Sequence, residues 1–370
     1  MNWNTQKTRA MKTLTCFVFF LSIGTYLYPQ DNSLIMDTLE SGSCTVGSDT
    51  KTGFDFFSSE EPLEMTLVFN FSTFLKTRNK PEYLDATLTV KLDDNNSLSQ
   101  DIKIKARGEV RRTISSFPPI MLKFKSINQD SRSIREKGTL KLVTPCNQTT
   151  LYKDYVLKEY LAYRLFNLVT PYSFKTRLVK ITYVDGDKPK NTLTSYGFLI
   201  ENEKDMAARN DAILVNHNVI SNTQVNSRDL ARVAVYNYMI GNTDWYLSCQ
   251  HNIKVIKSLK VASDKGIPVA YDFDYSGFVD AEYSVPSKNI PIEDVKDRYY
   301  LGTCFNDEEI KPVIDEFVEL EDEFIGTIEN FDLLSKGDKK RAESYINSFY
   351  KANRVNYVLI SDLNRTCIQP

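Results

Sequence analysis

The side chains with the most chemical potential in this chain are oxygen donors. They fall in two short stretches, "GNTDWYLSCQHNIKVI" (241–256) and "YDFDYSG" (271–277). Asp244 follows Gly241, a residue type that closes helices, so it is expected to open a loop and not to lie on a helix face. "NIKVI" (252–256) and "IPVAYDF" (267–273) alternate, and "SLKVASDKG" between them is rich in turn formers. If the two runs pair as an antiparallel hairpin centred near residue 262, Asn252 faces Asp272, and Asp244 arrives beside them from the preceding loop. One carboxamide and the carboxylates of Asp244, Asp272 and Asp274 would then meet. Hard oxygen ligands of this kind suit Mg²⁺ or Mn²⁺, and an uncoordinated Asp can orient or deprotonate a hydroxyl. That division of labour is what phosphoryl transfer requires. Asp and Asn also serve hairpin ends and helix C-termini for turn reasons alone. Against that simpler reading, carboxylates clustered without a cation repel. His251 is read as packing against this group or supporting its ligands, not as a ligand itself.

Phosphate binding also needs positive charge. The first half of the chain offers Lys105, Arg107, Arg111, Arg112, Lys123, Lys125 and Lys141. Lys103 and Lys105 share one strand face, Arg107 follows the strand end beside Gly108, and Lys123 alternates with Leu122 and Phe124. A basic strand face can equally be a solvated one. No GxxxxGKS/T or GxGxxG run is present, so a nucleotide would bind without a familiar glycine loop.

The elements that must position these residues change period along the chain. Residues 63–72, 84–92, 100–110, 120–126 and 138–144 alternate and are rich in β-formers, which predicts an antiparallel sheet. Residues 151–169 place apolar side chains at 156, 157, 160, 161 and 165, a helical spacing ended by Pro171. Residues 177–184 and 195–202 read as a hairpin around "DGDKPKN". Residues 227–241 read as a helix capped by Asn226 or Ser227 and closed by Gly241. The tail, 306–352, reads as two amphipathic helices. The seam between the β-rich and helical parts falls near 201–205.

Bulk properties narrow the classes further. The 370 residues suffice for one large domain or two lobes. The formal net charge of −2 excludes nucleic-acid binding driven by bulk charge. A basic start and an apolar run before Gln30 have the length of a secretory signal, not of a membrane span. Residues 1–30 are therefore expected to direct export, to a secreted, periplasmic or cell-surface destination, and 31–60 to form a polar leader. No later segment is long and apolar enough to span a membrane. Cys44, Cys146, Cys249, Cys304 and Cys367 then enter an oxidising compartment, where one or two disulfides are expected with pairing open. With only His217 and His251, and no CxxC, a His- or Cys-rich metal centre is excluded.

"IKARGEV…MLKFK", "TLKLVTP", the helix "YVLKEYLAYRLF", "VKITYVDGD…SYGFLIENEKDM", "GNTDW…HN" and "YDFD" occur in order over residues 100–275. Together they resemble the spore-coat protein H (CotH) family of atypical protein kinases. The resemblance implies an α+β, bilobal kinase-like fold, with a β-rich N-terminal lobe (61–202) holding one helix and a mainly helical C-terminal lobe (203–370) carrying the catalytic hairpin. It implies ATP and Mg²⁺ or Mn²⁺ as cofactors. By position Asp244 corresponds to the catalytic-loop Asp and Asn252 and Asp272 to the metal ligands, with Asp274 a second candidate. Lys123, or else Lys105, would touch the ATP phosphates and pair with Glu159, with Arg107 nearby. Glu201 would mark the lobe connection near the adenine. "RGEVRR" departs from the family's Arg-Gly-Asn-Ser run. The acceptor would be Ser, Thr or Tyr on a protein or another surface or envelope component; a glycan or small molecule is the other option. Two further readings stand beside this one: a non-catalytic surface or assembly protein that uses the groove to bind a partner, and a metal-dependent phosphoester or glycan hydrolase.

Overall fold

A computed structural model describes residues 54–80, 82–124, 138–216, 219–261, 263, 265–354 and 358–369. The expected signal segment, most of the leader, Cys44, His217 and Lys125 lie outside the described residues.

The β-rich half opens with β1 (Leu63–Phe69), whose alternate side chains Leu63, Met65, Leu67 and Phe69 are buried. It stops three residues short of the predicted end at 72. Asn70 accepts a hydrogen bond from Thr73 N and caps α1 (Phe71–Thr77), a helix the strand reading 63–72 overran. Then come β2 (Leu84–Lys91) and β3 (Ser97–Ala106). β3 ends at Ala106 and not at 110, because Gly108 takes φ +84° and turns the chain into α2 (Val110–Ile114). β4 (Ile120–Phe124) and β5 (Gly138–Val143) lead into α3 (Thr150–Val169), and β6 (Thr176–Asp185) and β7 (Thr192–Ile200) complete this half.

The predicted antiparallel sheet is a closed seven-stranded barrel, in the order β1-β2-β3-β4-β5-β7-β6. Closure comes from a parallel pairing of β1 with β6, in register from Leu63↔Val179 to Phe69↔Asp185. Local alternation cannot reveal a pairing between strands so distant in sequence. Inside lie Leu67, Leu88, Ile102, Ile104, Leu122, Leu142 and Ile181, each essentially without solvent contact. Outside, Lys103, Lys105, Lys123 and Lys141 occupy the alternate positions, with Lys103↔Lys123 and Met121↔Lys141 as register partners.

The second half holds α4 (Glu203–Arg209), β8 (Ala212–Leu214), α5 (Ser227–Met239), β9 (Ile253–Ser258) and β10 (Ile267–Ala270). The three strands form a separate sheet in the order β10-β9-β8. The tail is α6 (Asp307–Glu319), α7 (Glu321–Glu329), α8 (Lys336–Arg354) and α9 (Val358–Thr366). The two helices expected over 306–352 are thus three, divided at Leu320 and again before Lys336. The architecture is mixed α+β: a β-barrel followed by a largely helical C-terminal part. None of the helices among the described residues is long and apolar enough to cross a membrane.

α3 joins the two parts. Its Tyr163 packs on Phe198 of β7 (5.6 Å between centroids) and on Phe273 after β10 (4.8 Å), and its Phe166 packs on Tyr236 of α5 (4.8 Å). Phe273 is fully buried among Tyr163, Phe166 and Tyr236. This anchor fixes the backbone between Asp272 and Asp274.

Candidate functional site

Asp244 is held by a chain of side-chain amides that begins inside α5. Asn237 Nδ2 donates to Val233 O (2.9 Å), Asn242 Nδ2 donates to Asn237 Oδ1 (2.8 Å), and Asp244 N donates to Asn242 Oδ1 (3.0 Å). Asn237 and Asn242 are both buried, so each bond satisfies a group that would otherwise be desolvated without a partner. Gly241 takes φ +66°, and an added Cβ would stand 2.1 Å from the Tyr345 hydroxyl. The 240–242 segment then pairs with 276–278: Phe278 N donates to Ile240 O (3.0 Å) and Gly277 N to Gly241 O (3.1 Å). This backbone pairing brings the Asp244 loop alongside the Asp272–Asp274 turn.

Both carboxylate oxygens of Asp244 are engaged. His251 Nε2 lies 2.8 Å from Oδ1, and Asn252 Nδ2 donates to Oδ2 at 2.9 Å and to the Asp244 carbonyl at 2.8 Å. The hydrogen bond to Asp244 raises the His251 pKa above its ordinary value against the effect of burial. His251 is therefore a direct hydrogen-bond partner of Asp244, one of the two roles the sequence offered for it. Asn252 has φ +51°, a conformation Asn tolerates better than most residues. Its nitrogen is committed to Asp244, which leaves the carboxamide oxygen as its ligand atom.

The hairpin register differs from expectation by one residue. Ile253 pairs with Ala270, and Tyr271 N donates to Asn252 O at 3.1 Å, so Tyr271 and not Asp272 stands opposite Asn252. Asp272 follows with φ +64°, its N–H donating to the Tyr163 hydroxyl (2.8 Å). The turn sends Asp272 and Asp274 toward α3. Carboxylate oxygens of Glu159, Asp272 and Asp274 all lie within 4.8 Å of one another.

The partner of Glu159 is not the predicted lysine. Arg111 Nη2 lies 2.5 Å from Glu159 Oε2 and 2.7 Å from Asp274 Oδ2, and Arg111 Nε donates to the same Asp274 oxygen at 2.8 Å. All three side chains are buried. Burial works against the Arg111 charge, but Asp274 and Glu159 outweigh it and raise its pKa. Burial likewise raises the pKa of Glu159 and of Asp274; Arg111 opposes this, and the neighbouring carboxylates add to it. One guanidinium faces three carboxylates, so the group has room for a further cation. Glu159 Oε1 is buried and has no hydrogen-bond partner among the described residues. An orphaned, buried carboxylate oxygen beside Asp272 is the donor chemistry a divalent cation takes.

The predicted phosphate lysines share one aromatic neighbour. Lys123 is exposed, Lys105 half-buried, and both ammonium groups lie over the Tyr83 ring, at 4.9 and 4.7 Å. The lysine that shares the field of Asp272 is Lys141, on β5 directly before α3. It lies over the Tyr271 ring at 4.8 Å; burial, then Arg107, brings its pKa down to about 8. Arg107 is half-buried, and its N–H donates to Pro119 O (2.8 Å). Glu201 is buried at the end of β7 and held by Arg209, with Nε–Oε1 at 3.0 Å and Nη2–Oε2 at 2.9 Å, while Lys175 N donates to Oε2. It fixes the connection from the barrel into α4.

Sequence reasoning gave no role to Arg111 or Lys141, although both stood among the basic residues of the first half. A signal existed for Lys141: it is the outward cation between Leu140 and Leu142 on the strand that feeds the Glu159 helix. None existed for Arg111, whose burial depends on the Gly108 turn.

No family model matches the sequence, and no curated protein matches it. Among solved structures the chain is similar to the crystal structure of the Helicobacter pylori proinflammatory kinase CtkA, with a TM-score of 0.39 and 11% identity, over 70% of this chain and 93% of that one. A likeness of this strength assigns neither activity nor site residues.

Proposed function

We propose that the protein is an exported, ATP- and divalent-metal-dependent phosphotransferase with two kinase-like lobes, the barrel with α3 and the helical part with the β9–β10 hairpin. The observation that carries this reading is the meeting of Glu159, Asp272 and Asp274 beside a loop in which Asn252 and His251 hold Asp244. Asp244 orients the acceptor hydroxyl and accepts its proton. Asn252 and Asp272 hold the Mg²⁺ or Mn²⁺. When bound, that ion neutralises charge on the transferring phosphoryl group. Lys141, which shares the field of Asp272, joins Lys123 and Lys105 as a candidate for the phosphate lysine, and Arg107 adds a second cation on the same side. Both would bind phosphate oxygens and draw the nucleotide in. Glu201 marks the lobe connection. The acceptor is a Ser, Thr or Tyr side chain of a protein or another surface component.

Export is supported by the disulfide between Cys304 and Cys367, since such bonds persist in oxidising compartments.

The test is thermal unfolding of the purified chain with ATP and Mn²⁺ or Mg²⁺, together and singly, beside Asp272→Ala. A ligand that binds only the folded state stabilises by about 2.7 kcal/mol at a hundredfold excess over Kd. The expected result is a rise in midpoint that needs nucleotide and metal together and is lost in the variant. Absence of a rise with any nucleotide–metal pair would favour a partner-binding protein. Turnover of a phosphoester without nucleotide would favour a hydrolase.

A further inference from the structure

We propose that Arg111 is a resident cation of this site: it occupies Asp274 permanently, and the site therefore takes a single divalent ion. The proposal rests on the phosphotransferase reading and extends it to the metal stoichiometry.

Arg111 meets Asp274 through two of its nitrogens on one carboxylate oxygen, Nε at 2.8 Å and Nη2 at 2.7 Å, and Nη2 reaches Glu159 Oε2 at 2.5 Å. Asp274 Oδ2 has both of its lone-pair directions committed to the guanidinium. A divalent ion on that oxygen would sit directly against a second positive charge in a buried site, where repulsion is weakly screened. Arg111 is itself nine-tenths buried or more, and its guanidinium carbon lies 5.9 Å from the centroid of the Tyr283 ring. Guanidinium keeps its charge under burial and offers donors in a fixed plane, which suits a permanent structural cation better than an ammonium would.

What remains free is equally specific. Asp272 makes no ion pair with Arg111, and Glu159 Oε1 is buried without a hydrogen-bond partner among the described residues. Of the three carboxylates, Asp274 and Glu159 Oε2 are in direct contact with Arg111, and Asp272 and Glu159 Oε1 are left for one further cation. Asp274, a second ligand candidate on sequence grounds, becomes a positioning residue: it holds Arg111, and Arg111 in turn orients Glu159 Oε2 so that Oε1 is left for the ion.

The experiment counts metal directly. Native mass spectrometry of the full chain with Mn²⁺ and a non-hydrolysable ATP analogue reads the number of Mn²⁺ ions per bound nucleotide, and titration gives the Mn²⁺ affinity. One Mn²⁺ per nucleotide is expected for the unmodified chain and two for Arg111→Met. Asp274→Asn, which acts only through Arg111, is expected to weaken Mn²⁺ binding by several-fold, whereas Asp272→Asn weakens it by at least about thirtyfold. Two ions in the unmodified chain, or a loss in Asp274→Asn equal to that in Asp272→Asn, overturns the proposal while leaving the phosphotransferase reading intact. Binding of neither nucleotide nor Mn²⁺ removes that reading and this proposal with it. If Arg111→Met does not fold, the comparison of the two Asp variants decides alone.

Discussion

Asn252 donates its side-chain amide to Asp244 twice, to the main-chain carbonyl at 2.8 Å and to carboxylate Oδ2 at 2.9 Å. One residue thus fixes the Asp244 side chain, and in the proposed phosphotransferase its carboxamide oxygen would be the atom offered to the metal. The two roles separate by mutation. Asp244→Asn should lower phosphotransfer by about 10²–10⁴-fold, the usual contribution of a general base, and leave the nucleotide–metal thermal shift in place. Asn252→Leu should remove both. Equal thermal shifts in the two variants would contradict this division.

Arg111 is buried against two carboxylates. Removing one partner of such a group leaves uncompensated charge in a low-dielectric site, which costs about 3–5 kcal/mol. Arg111→Ala should therefore unfold at a markedly lower urea concentration, and added Mn²⁺ should restore more stability to it than to the unmodified chain. Urea titrations with and without Mn²⁺ check both statements.

Lys141 has a folded-state pKa near 8, below the ordinary lysine value of 10.5. Between those values the unfolded chain binds more protons than the folded one, so this residue makes stability rise with pH from about 8 to 10.5. Below pH 8 the half-buried ammonium is a constant penalty. Lys141→Met should accordingly be more stable than the unmodified chain at pH 7, by about 1–2 kcal/mol, with the gain fading as pH rises through that window. The same variant should lose nucleotide binding. Denaturant midpoints at pH 7 and pH 10 give the comparison.

Cys304 and Cys367, 63 residues apart, close a loop that contains α6, α7, α8 and α9. Cross-linking restricts the unfolded ensemble, and its loss costs about 2–4 kcal/mol. Cys304→Ser should lower the unfolding midpoint accordingly, and a reductant should lower that of the unmodified chain but not that of the variant. A midpoint indifferent to reductant in both would exclude the bond.

Local sequence determined most of the elements, because burial on one face leaves a period. The alternation of Ile102 and Ile104 with Lys103 and Lys105 marks β3, and the Asn226 cap and Gly241 bound α5 and its C-terminal turn. The oxygen donors of the candidate site were legible for a related reason: Asp244, Asn252, Asp272 and Asp274 stand at ends of elements, where turn-forming and functional side chains collect. Tertiary structure decided the rest. Barrel closure joins Leu63 to Val179, a contact between distant strands with no local signature. Hairpin register turns on a single residue, and the true pairing sets Tyr271, not Asp272, across from Asn252. The choice of cation was the least visible. Lys105, Lys123 and Lys141 all alternate outward, and only the course of β5 into α3 brings Lys141 into the field of Asp272. Arg111 looks like one charge in a basic run, and becomes the counter-ion of Glu159 and Asp274 because the left-handed turn at Gly108 directs α2 inward. Periodicity reports which way a side chain faces relative to its own element; which charge it meets there depends on how distant elements pack.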